Sequence, residues 1–269
     1  VIMISTLTQE GAPQTLEALE IGAVDYVAKP KTDVMTTLVS YQNELHDKIR
    51  AASKAILKSM RPKRVPFKPK VDTDKISFRQ NMIVALGAST GGTEAIKEVL
   101  SRMPENMPPI VVAQHIPPVF STSYAMRLNK CVALNVHEAT DGQRLEPGNV
   151  YIAPGQAHLR IKKEGSYYFT VLDEGAEVNR HKPSVEVLFD SVLENAGKRA
   201  VAAILTGMGA DGADALLRLR ENGCKTIAQN EKTSVVWGMP GAAVALNAAD
   251  FVLPLEQIAD QIMLLTEKS

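Results

Sequence analysis

One serine in this chain stands in a setting that suits a nucleophile. An apolar run from Met82 to Gly87 leads into Gly87-Ala88-Ser89-Thr90-Gly91, which has the Gly-x-Ser-x-Gly spacing. At a strand-to-helix turn this spacing exposes the serine hydroxyl above the carboxyl end of a sheet, where the helix start supplies backbone N–H groups. The pattern therefore predicts acyl-transfer chemistry at Ser89, as in a serine hydrolase.

His115 is the histidine best placed to serve as a base for that serine. It directly follows a second apolar run, Ile110 to Gln114. If this run is a strand parallel to the first, both strands end at the same edge of the sheet. His115 would then lie within reach of Ser89, as a nucleophile and its base must.

The acid that would orient the histidine has two candidates. The apolar run Ala200 to Leu205 ends in a glycine-rich turn that contains Asp211, and Asp214 follows one helical step later. Aspartate at a turn-helix boundary is also a common helix N-cap. The residues by themselves therefore leave Asp211 and Asp214 open as alternatives.

The same glycines also resemble a dinucleotide-binding fingerprint, Gly-x-Gly-x-x-Gly, with Ser89 in the second glycine position. A Rossmann site needs glycine there and an acid about 20 residues further on for the ribose. Neither is present, because the second strand ends in Gln114-His115-Ile116. No His-Glu-x-x-His or Cys-x-x-Cys occurs either. We therefore expect hydrolysis with no metal site and no cofactor for catalysis.

Composition excludes several other classes of protein. The 269 residues are 45% hydrophobic, and 30 basic residues balance 30 acidic ones, so overall charge does not favour nucleic-acid binding. Two cysteines are too few for a dense disulfide framework, which is typical of proteins in a reducing compartment. No apolar run approaches the length of about 18 residues that a membrane span needs. These features predict a cytoplasmic protein that binds no nucleic acid and is not inserted in a membrane.

The chain divides into three regions. Residues 1–57 show a strand, helix, strand, helix pattern whose last helix carries an apolar stripe from Asp33 to Ile56. This is too little to be stable alone, so it resembles the end of a larger domain whose beginning lies upstream. We expect residues 58–80 to be a basic, proline-containing linker, the alternative being a basic docking segment for an acidic partner or nucleic acid. Residues 81–269 are expected to form the domain that carries the candidate catalytic residues.

The pattern of the third region predicts a doubly wound α/β fold with a mostly parallel sheet. Four apolar runs have the continuous hydrophobicity of strands buried on both faces, and helical stretches separate several of them. Three short, turn-bounded runs differ from these and predict an antiparallel hairpin or ribbon attached to the sheet. They are Asn149 to Ala153, His158 to Lys162 and Tyr167 to Leu172.

Taken together, these residues closely resemble the chemotaxis protein-glutamate methylesterase family, CheB, over nearly the whole chain. The order and spacing of several motifs carry the resemblance. They are Gly87 to Gly92, Gln114-His115-Ile116-Pro117, Pro147 to Gly155, Lys182-Pro183-Ser184-Val185, Thr206 to Ala213 and Gly238-Met239-Pro240.

The resemblance implies a triad of Ser89, His115 and Asp211, which resolves the choice between the two aspartates. It also implies hydrolysis of glutamate γ-methyl esters on the cytoplasmic helices of chemoreceptors, with release of methanol, and deamidation of certain receptor glutamines. Backbone N–H groups of Thr90, Gly91 or Met208 are the candidates for an oxyanion hole. The alternative is a regulatory or scaffold protein of the same fold in which the serine is idle.

By the same resemblance, residues 1–57 are the carboxyl-terminal part of a flavodoxin-like receiver domain. Ser5 and Tyr26 match its switch residues, and Lys29 matches its phosphate-contacting lysine. The family's phosphoacceptor aspartate and Mg²⁺-binding acids are expected upstream of Val1, so the receiver Mg²⁺ site is not in this sequence. The implied partner is the histidine kinase of the chemotaxis system, and in the family the receiver covers the active site until it is phosphorylated.

Two positions depart from the family pattern. Glu186 stands where aspartate is expected after Pro-Ser-Val, and Asn230 stands where aspartate is common. Neither belongs to the triad. We therefore assign no function to Glu186 or Asn230 from the sequence.

Overall fold

The structure is a computed structural model that describes residues 1–5, 12–28, 42, 45–46, 48–50, 52–53, 55 and 76–268. The strands in this part are β1 (Ile2–Ser5), β2 (Asp25–Ala28), β3 (Ile83–Ala88), β4 (Ile110–Gln114), β5 (Asn135–Glu138), β6 (Asn149–Ile152), β7 (His158–Glu164), β8 (Tyr167–Asp173), β9 (Ala200–Ile204), β10 (Lys225–Gln229) and β11 (Phe251–Leu253). The helices are α1 (Ala12–Ile21), α2 (Gly92–Leu100), α3 (Pro118–Asn129), α4 (Val185–Ala196), α5 (Ala213–Glu221), α6 (Met239–Ala245) and α7 (Leu255–Thr266).

A sheet of seven strands in the order β11-β10-β9-β3-β4-β6-β5 forms the centre of the larger region. All its neighbouring strands pair in parallel. From β3 the chain continues to β4, which lies on one side of β3. The strand β9 lies on the other side of β3, and from there the chain continues to β10, further in that direction. The strand order therefore reverses between β3 and β9, which is where open α/β sheets usually bind ligands.

The central strands are buried because helices cover both faces of the sheet. Every residue of β3, β4 and β9 is buried. Along β3, Val84 and Leu86 pack into a cluster with α2, α3 and α7, whereas Ile83 and Ala85 pack into a second cluster with α4, α5 and α6. This alternation explains the continuous apolar runs, because each face of a strand needs its own apolar side chains.

The expected fold class is confirmed, with one correction in the middle of the chain. The strands β7 and β8 form the antiparallel pair, from His158 opposite Asp173 to Glu164 opposite Tyr167. The run Asn149 to Ala153, which we expected in the same hairpin or ribbon, instead forms β6 and pairs in parallel with β4 and β5. The edge strands β5 and β11, which have four and three residues, were not predicted.

The amino-terminal segment contributes a small parallel pair, β1 and β2, joined by α1. Its helix lies against α2 and α3, where Glu20 forms ion pairs with Lys97 and Arg127. Leu16 and Leu19 join the apolar cluster on that side of the main sheet. Most of the long helix expected from Asp33 to Ile56, and the linker up to residue 75, lie outside the described residues.

No helix in the described part of the chain combines the length and hydrophobicity that crossing a membrane would need.

Candidate active site

Ser89 follows β3 directly and precedes α2, so it occupies the strand-to-helix turn that the sequence predicts. Its backbone N–H donates to Thr206 O at 3.0 Å, and its carbonyl accepts from Gly92 N at 2.7 Å. Gly91, the N-cap of α2, has φ 76°, a left-handed conformation that glycine adopts without strain. Gly207 lies so close that a Cβ there would stand 2.7 Å from Ser89 Cβ. The hydrogen bonds with Thr206 and Gly92 and the close approach of Gly207 therefore restrain the turn.

His115 lies at the end of β4, the neighbour of β3, as expected from a parallel pair. Its Nδ1 is 3.1 Å from Ser89 Oγ, and its Nε2 is 2.8 Å from Asp211 Oδ2. The preceding Gln114 donates from Nε2 to the carbonyls of both Ser89 and His115, at 3.0 and 3.1 Å. This amide ties the two strand ends together and keeps the histidine beside the serine.

Asp211 lies in the turn between β9 and α5, and its side chain is only 1% exposed. Besides His115, four groups donate to its carboxylate: Ser184 Oγ at 2.8 Å, Asn179 Nδ2 at 2.9 Å, the N–H of Val185 at 2.7 Å and the N–H of Glu186 at 3.4 Å. Asp214, the rival candidate, is exposed on the first turn of α5. The structure thus brings Asp211, and not Asp214, to His115.

These contacts determine the charge of Asp211. Burial raises its pKa, but the hydrogen bond from His115, the charge of that histidine, and the bonds from Asn179 and Ser184 together outweigh burial and lower the pKa to about 2. The carboxylate is therefore ionised at neutral pH and can only accept hydrogen bonds. Because Asp211 accepts from Nε2 of His115, that nitrogen carries the proton, and Nδ1 is left free to accept from Ser89.

The three residues come from neighbouring strands β3, β4 and β9, at the edge where the strand order reverses. Compared with the trypsin-type arrangement, the two histidine nitrogens exchange partners, because Nδ1 faces the serine and Nε2 faces the aspartate. Either ring nitrogen of histidine can accept a proton when the other nitrogen carries one. The geometry therefore permits proton transfer from Ser89 to His115 with Asp211 as the orienting group.

The predicted oxyanion donors lie on two turns beside the serine. Thr90 and Gly91 follow Ser89 at the start of α2, and Met208 follows Gly207, whose N–H bonds to Val236 O at 3.0 Å. In the part of the chain that the structure describes, the backbone N–H groups of Thr90 and Met208 have no acceptor. Both turns thus hold donors that are free to meet a substrate oxygen.

Three further contacts escaped the sequence analysis. Asn179 and Ser184 hold Asp211, and the ring of His181 stacks on the ring of His115 with centroids 3.7 Å apart and an angle of 19° between the planes. Ser184 belongs to a motif of the family resemblance, which is the signal that could have singled it out. His181 stands beside that motif in a polar stretch without strand or helix periodicity, so no pattern distinguished it.

The two departures from the family pattern have structural partners. Glu186 accepts from the N–H of Gly212 at 3.0 Å and pairs with Arg218 at 2.5 Å, which ties α4 to the start of α5. Asn230 Oδ1 accepts from the N–H and the hydroxyl of Thr233, at 3.1 and 2.9 Å. Both side chains stabilise turns in the structure.

The amino-terminal segment reaches the edge of the site. Thr90 Oγ1, one residue after the serine, donates to the buried Asp25 Oδ2 at 2.5 Å. Lys48 lies 3.4 Å from the other oxygen of Asp25 and donates to Tyr26 O at 2.6 Å. Tyr26 packs edge-on against Phe120 of α3, with ring centroids 5.0 Å apart.

The structure describes less of the other two positions of the receiver resemblance, Ser5 and Lys29. Ser5 ends β1, next to the strand that carries Tyr26, and its side chain is not described. Lys29 lies outside the described residues. Within the ranges that the structure describes, no three His, Cys, Asp or Glu side chains are grouped to hold a metal ion.

The fold and the site define the class of protein. It is an α/β protein that carries serine, histidine and aspartate in one hydrogen-bonded chain at the carboxyl edge of a parallel sheet, an arrangement typical of serine hydrolases.

Comparison with known proteins gives the family. The family model described as CheB methylesterase matches residues 84–262. A relative from Saccharophagus degradans, named protein-glutamate methylesterase/protein-glutamine glutaminase 2, is 54% identical over 98% of this chain and 76% of its own length. A relative from Hydrogenovibrio crunogenus, named protein-glutamate methylesterase/protein-glutamine glutaminase, is 48% identical over 100% of this chain and 79% of its own length. The chain belongs to the CheB methylesterase family.

A solved structure supports the same conclusion for the larger region. The crystal structure of the Thermotoga maritima CheB methylesterase catalytic domain is similar to this chain with a TM-score of 0.67 and 40% identity. The match covers 69% of this chain and 98% of that structure. The parallel sheet, its helices and the antiparallel pair are therefore the fold of that domain.

Proposed function

We propose that this chain hydrolyses γ-methyl esters of glutamate residues in chemoreceptors, with Ser89 as the nucleophile. The observation that carries the proposal is the chain of hydrogen bonds from Ser89 through His115 to Asp211. The names of the relatives supply the substrate, since they are called protein-glutamate methylesterase/protein-glutamine glutaminase. The same site then also deamidates receptor glutamines, because an amide carbonyl is attacked in the same way as an ester carbonyl.

The first half of the reaction forms an acyl-enzyme. Ser89 Oγ attacks the ester carbonyl carbon while its proton passes to Nδ1 of His115. Asp211 accepts from Nε2 throughout and stabilises the imidazolium. The C–O bond to the methoxy group then breaks, and His115 returns the proton to the leaving oxygen, so that methanol departs.

The second half regenerates the enzyme. Water gives a proton to His115 and attacks the acyl carbon, and the bond to Ser89 Oγ breaks as the serine takes the proton back. The product is a glutamate carboxylate on the receptor. The mechanism uses only side chains of this chain and water, with no metal or cofactor.

The negative oxygen of each tetrahedral intermediate requires donors near the serine. We assign this role to the N–H groups on the two turns, those of Thr90 or Gly91 and that of Met208. Thr90 and Met208 are supported by their free N–H groups. Losing one such donor typically lowers the rate by about 10² to 10³.

The amino-terminal segment regulates access to this site. Its Asp25 is bonded to Thr90, directly beside the nucleophile, so a receptor helix that approaches Ser89 meets the segment first. As part of a receiver domain, the segment would be moved by phosphorylation from the histidine kinase of the chemotaxis system. The enzyme acts in the cytoplasm, where the methylated helices of the receptors lie.

The test is methanol release from methylated receptors by matched pairs of variants. Ser89→Ala is expected to lower the rate by on the order of 10⁶, as loss of a triad serine does elsewhere. Asp211→Asn should lower it by about 10⁴, the effect of a wrong histidine tautomer. Asp214→Asn is the matched control, because Asp214 is exposed three residues away.

A serine-directed covalent probe distinguishes an enzyme from a scaffold with an idle serine. The probe should label the wild-type chain at Ser89 and fail to label His115→Ala. Methanol release near the wild-type rate from Ser89→Ala, or labelling that does not depend on His115, would contradict the proposed function.

A further inference from the structure

A short turn, residues 178–181, lies over the site. Val178 and His181 exchange two backbone hydrogen bonds, at 3.1 and 2.9 Å, so the turn closes on two central residues. These are Asn179 with φ 54° and Arg180 with φ 66°. Positive φ at both central positions is characteristic of a type I′ turn. Arginine rarely adopts this conformation, and such strain is found mostly where the surrounding structure maintains a functional geometry.

The turn brings two side chains to the triad. Asn179 Nδ2 donates to Asp211 Oδ1 at 2.9 Å, on the oxygen that His115 does not use. His181 stacks nearly parallel on His115, with ring centroids 3.7 Å apart. One turn therefore contacts both the acid and the base, while no bond joins it to the serine.

His181 remains uncharged while it makes this contact. Burial has the largest effect and lowers the pKa of His181, and the charge of His115 lowers it further. The charge of Asp211 raises the pKa, whereas the charges of Lys48 and Arg180 lower it. The resulting pKa of His181 is about 4. At neutral pH the neighbour of His115 is thus a neutral aromatic ring. It does not repel the imidazolium that forms when His115 accepts the serine proton.

The ring nitrogens of His115 direct their N–H bond and lone pair within the plane of the ring, so the bonds to Asp211 and Ser89 favour that plane. In-plane bonds restrain rotation within the plane, but they restrain tilting of the ring out of that plane only weakly. A ring stacked on one face opposes tilting toward that side by direct contact. Displacement of a reacting group by about 1 Å can cost about 10² in rate, so a restraint of this kind affects the chemical step.

We infer that the Val178–His181 turn is a positioning element for the triad, in which the His181 ring holds the His115 imidazole in the plane that joins Ser89 to Asp211. The inference rests on the proposed function, since it concerns the same base. His181 is a positioning residue, because its ring stacks on His115 and no hydrogen bond in the described part of the chain joins it to Ser89. Any flat ring of similar size should therefore replace it.

The test compares His181→Ala with His181→Phe in the full chain, using methanol release from methylated receptors. His181→Ala should lower kcat by about 10-fold with KM within about twofold, because the ring acts on the chemical step. His181→Phe should restore kcat to within about threefold of wild type, since phenylalanine keeps the stack without the nitrogens. His137→Ala is the matched control, an exposed histidine on the edge strand β5.

A second variant tests the contact between Asn179 and Asp211. Asn179→Gly keeps a residue that accepts positive φ but removes the amide that donates to Asp211. It should lower kcat by about 10-fold, the cost of one lost hydrogen bond to a charged group, with little change in KM.

Each result supports or overturns the inference. A wild-type kcat in His181→Ala, a rise in KM instead of a fall in kcat, or a His181→Phe variant as slow as His181→Ala would overturn it. These results are distinguishable from failure of the proposed function, which is decided by Ser89→Ala alone. If Ser89→Ala is inactive and His181→Ala has wild-type kcat, only the positioning role is wrong.

Discussion

At the scale of single residues, Asp211 differs from Asp214 by its surroundings. The two acids have the same chemistry and lie three positions apart, so the residues by themselves could not separate them. In the structure, Asp211 is buried beneath Ser184, Asn179 and the N–H of Val185, whereas Asp214 is exposed on α5. The difference arises from segments about 30 residues earlier in the chain, which no local pattern describes.

The low pKa of Asp211 has a measurable consequence for stability. Its pKa is lower in the folded chain, about 2 against 3.8, so its contribution is complete above about pH 4 and is lost as the pH falls toward 2. The shift corresponds to about 2 kcal/mol of unfolding free energy. Denaturant unfolding of wild type and Asp211→Asn should therefore show a difference that shrinks by this amount between pH 5 and pH 2. Parallel pH curves would contradict the assignment.

His181 gives a second pH effect in a separate window. Its folded pKa of about 4 lies below the ordinary 6.5, so the unfolded chain binds the proton more readily. The stabilising contribution of the neutral ring is complete above about pH 6.5 and is lost as the pH falls toward 4. We expect the stability of wild type relative to His181→Phe to fall by about 3 kcal/mol between pH 7 and pH 4. Equal pH dependence of the two proteins would show that His181 is not a buried neutral histidine.

The sequence could identify Ser89 and His115 because each directly follows a buried strand. It could not identify Asn179 or His181, because their role depends on a turn with positive φ at Asn179 and Arg180. An Asn-Gly pair at the two central positions predicts such a turn, but the Asn-Arg pair present here does not. Stacking between His115 and His181 also joins residues 66 positions apart in the chain.

At the scale of elements, the apolar strands at the centre of the sheet were predictable, whereas the short edge strands β5 and β11 were not. The runs that became β3, β4 and β9 are apolar along most of their length, because they are buried on both faces. The strand β6, only four residues long, carries no mark that distinguishes a parallel from an antiparallel partner. Its pairing with β4 and β5 is decided by the rest of the sheet.

The packing of α4 on β3 depends on a glycine. A Cβ on Gly87 would stand 2.2 Å from Cγ1 of the fully buried Val185, so one of the two elements would have to shift. Gly87→Ala should lower the unfolding free energy by about 1 to 3 kcal/mol, the usual cost of overpacking. The Gly87→Ala, Val185→Ala double variant should lose less than the sum of the single losses, because the second change makes room. Additive losses in a double-mutant cycle would show that this contact does not limit the packing.

At the scale of the whole molecule, the amino-terminal segment and the larger region are packed together. Apolar contacts of Leu16, Leu19 and Tyr26, ion pairs of Glu20, and the bond from Thr90 to Asp25 join them. The segment therefore lies beside Ser89. Removing or loosening it should open the approach to Ser89.

Two variants test this expectation by the basal rate of methanol release. A truncated chain of residues 76–269 should hydrolyse receptor esters faster than the full chain. Asp25→Ala should also raise the rate, by roughly 10-fold if the lost contact contributed about 1.4 kcal/mol to the closed state. Glu17→Ala, an exposed change on α1, is the control. An unchanged or lower rate in a folded 76–269 chain would contradict a blocking role.

The position of β3 between β9 and β4 also determines when activity can arise during folding. Ser89 and His115 lie 26 residues apart, but Asp211 follows 96 residues after His115. During synthesis, Ser89 and His115 therefore leave the ribosome long before the strand that precedes Asp211. Pairing of β9 with β3 closes this long loop and brings the turn that carries Asp211 beside Ser89 and His115. Recovery of esterase activity on refolding therefore requires the pairing that spans the longest stretch of sequence among the strands that the structure describes.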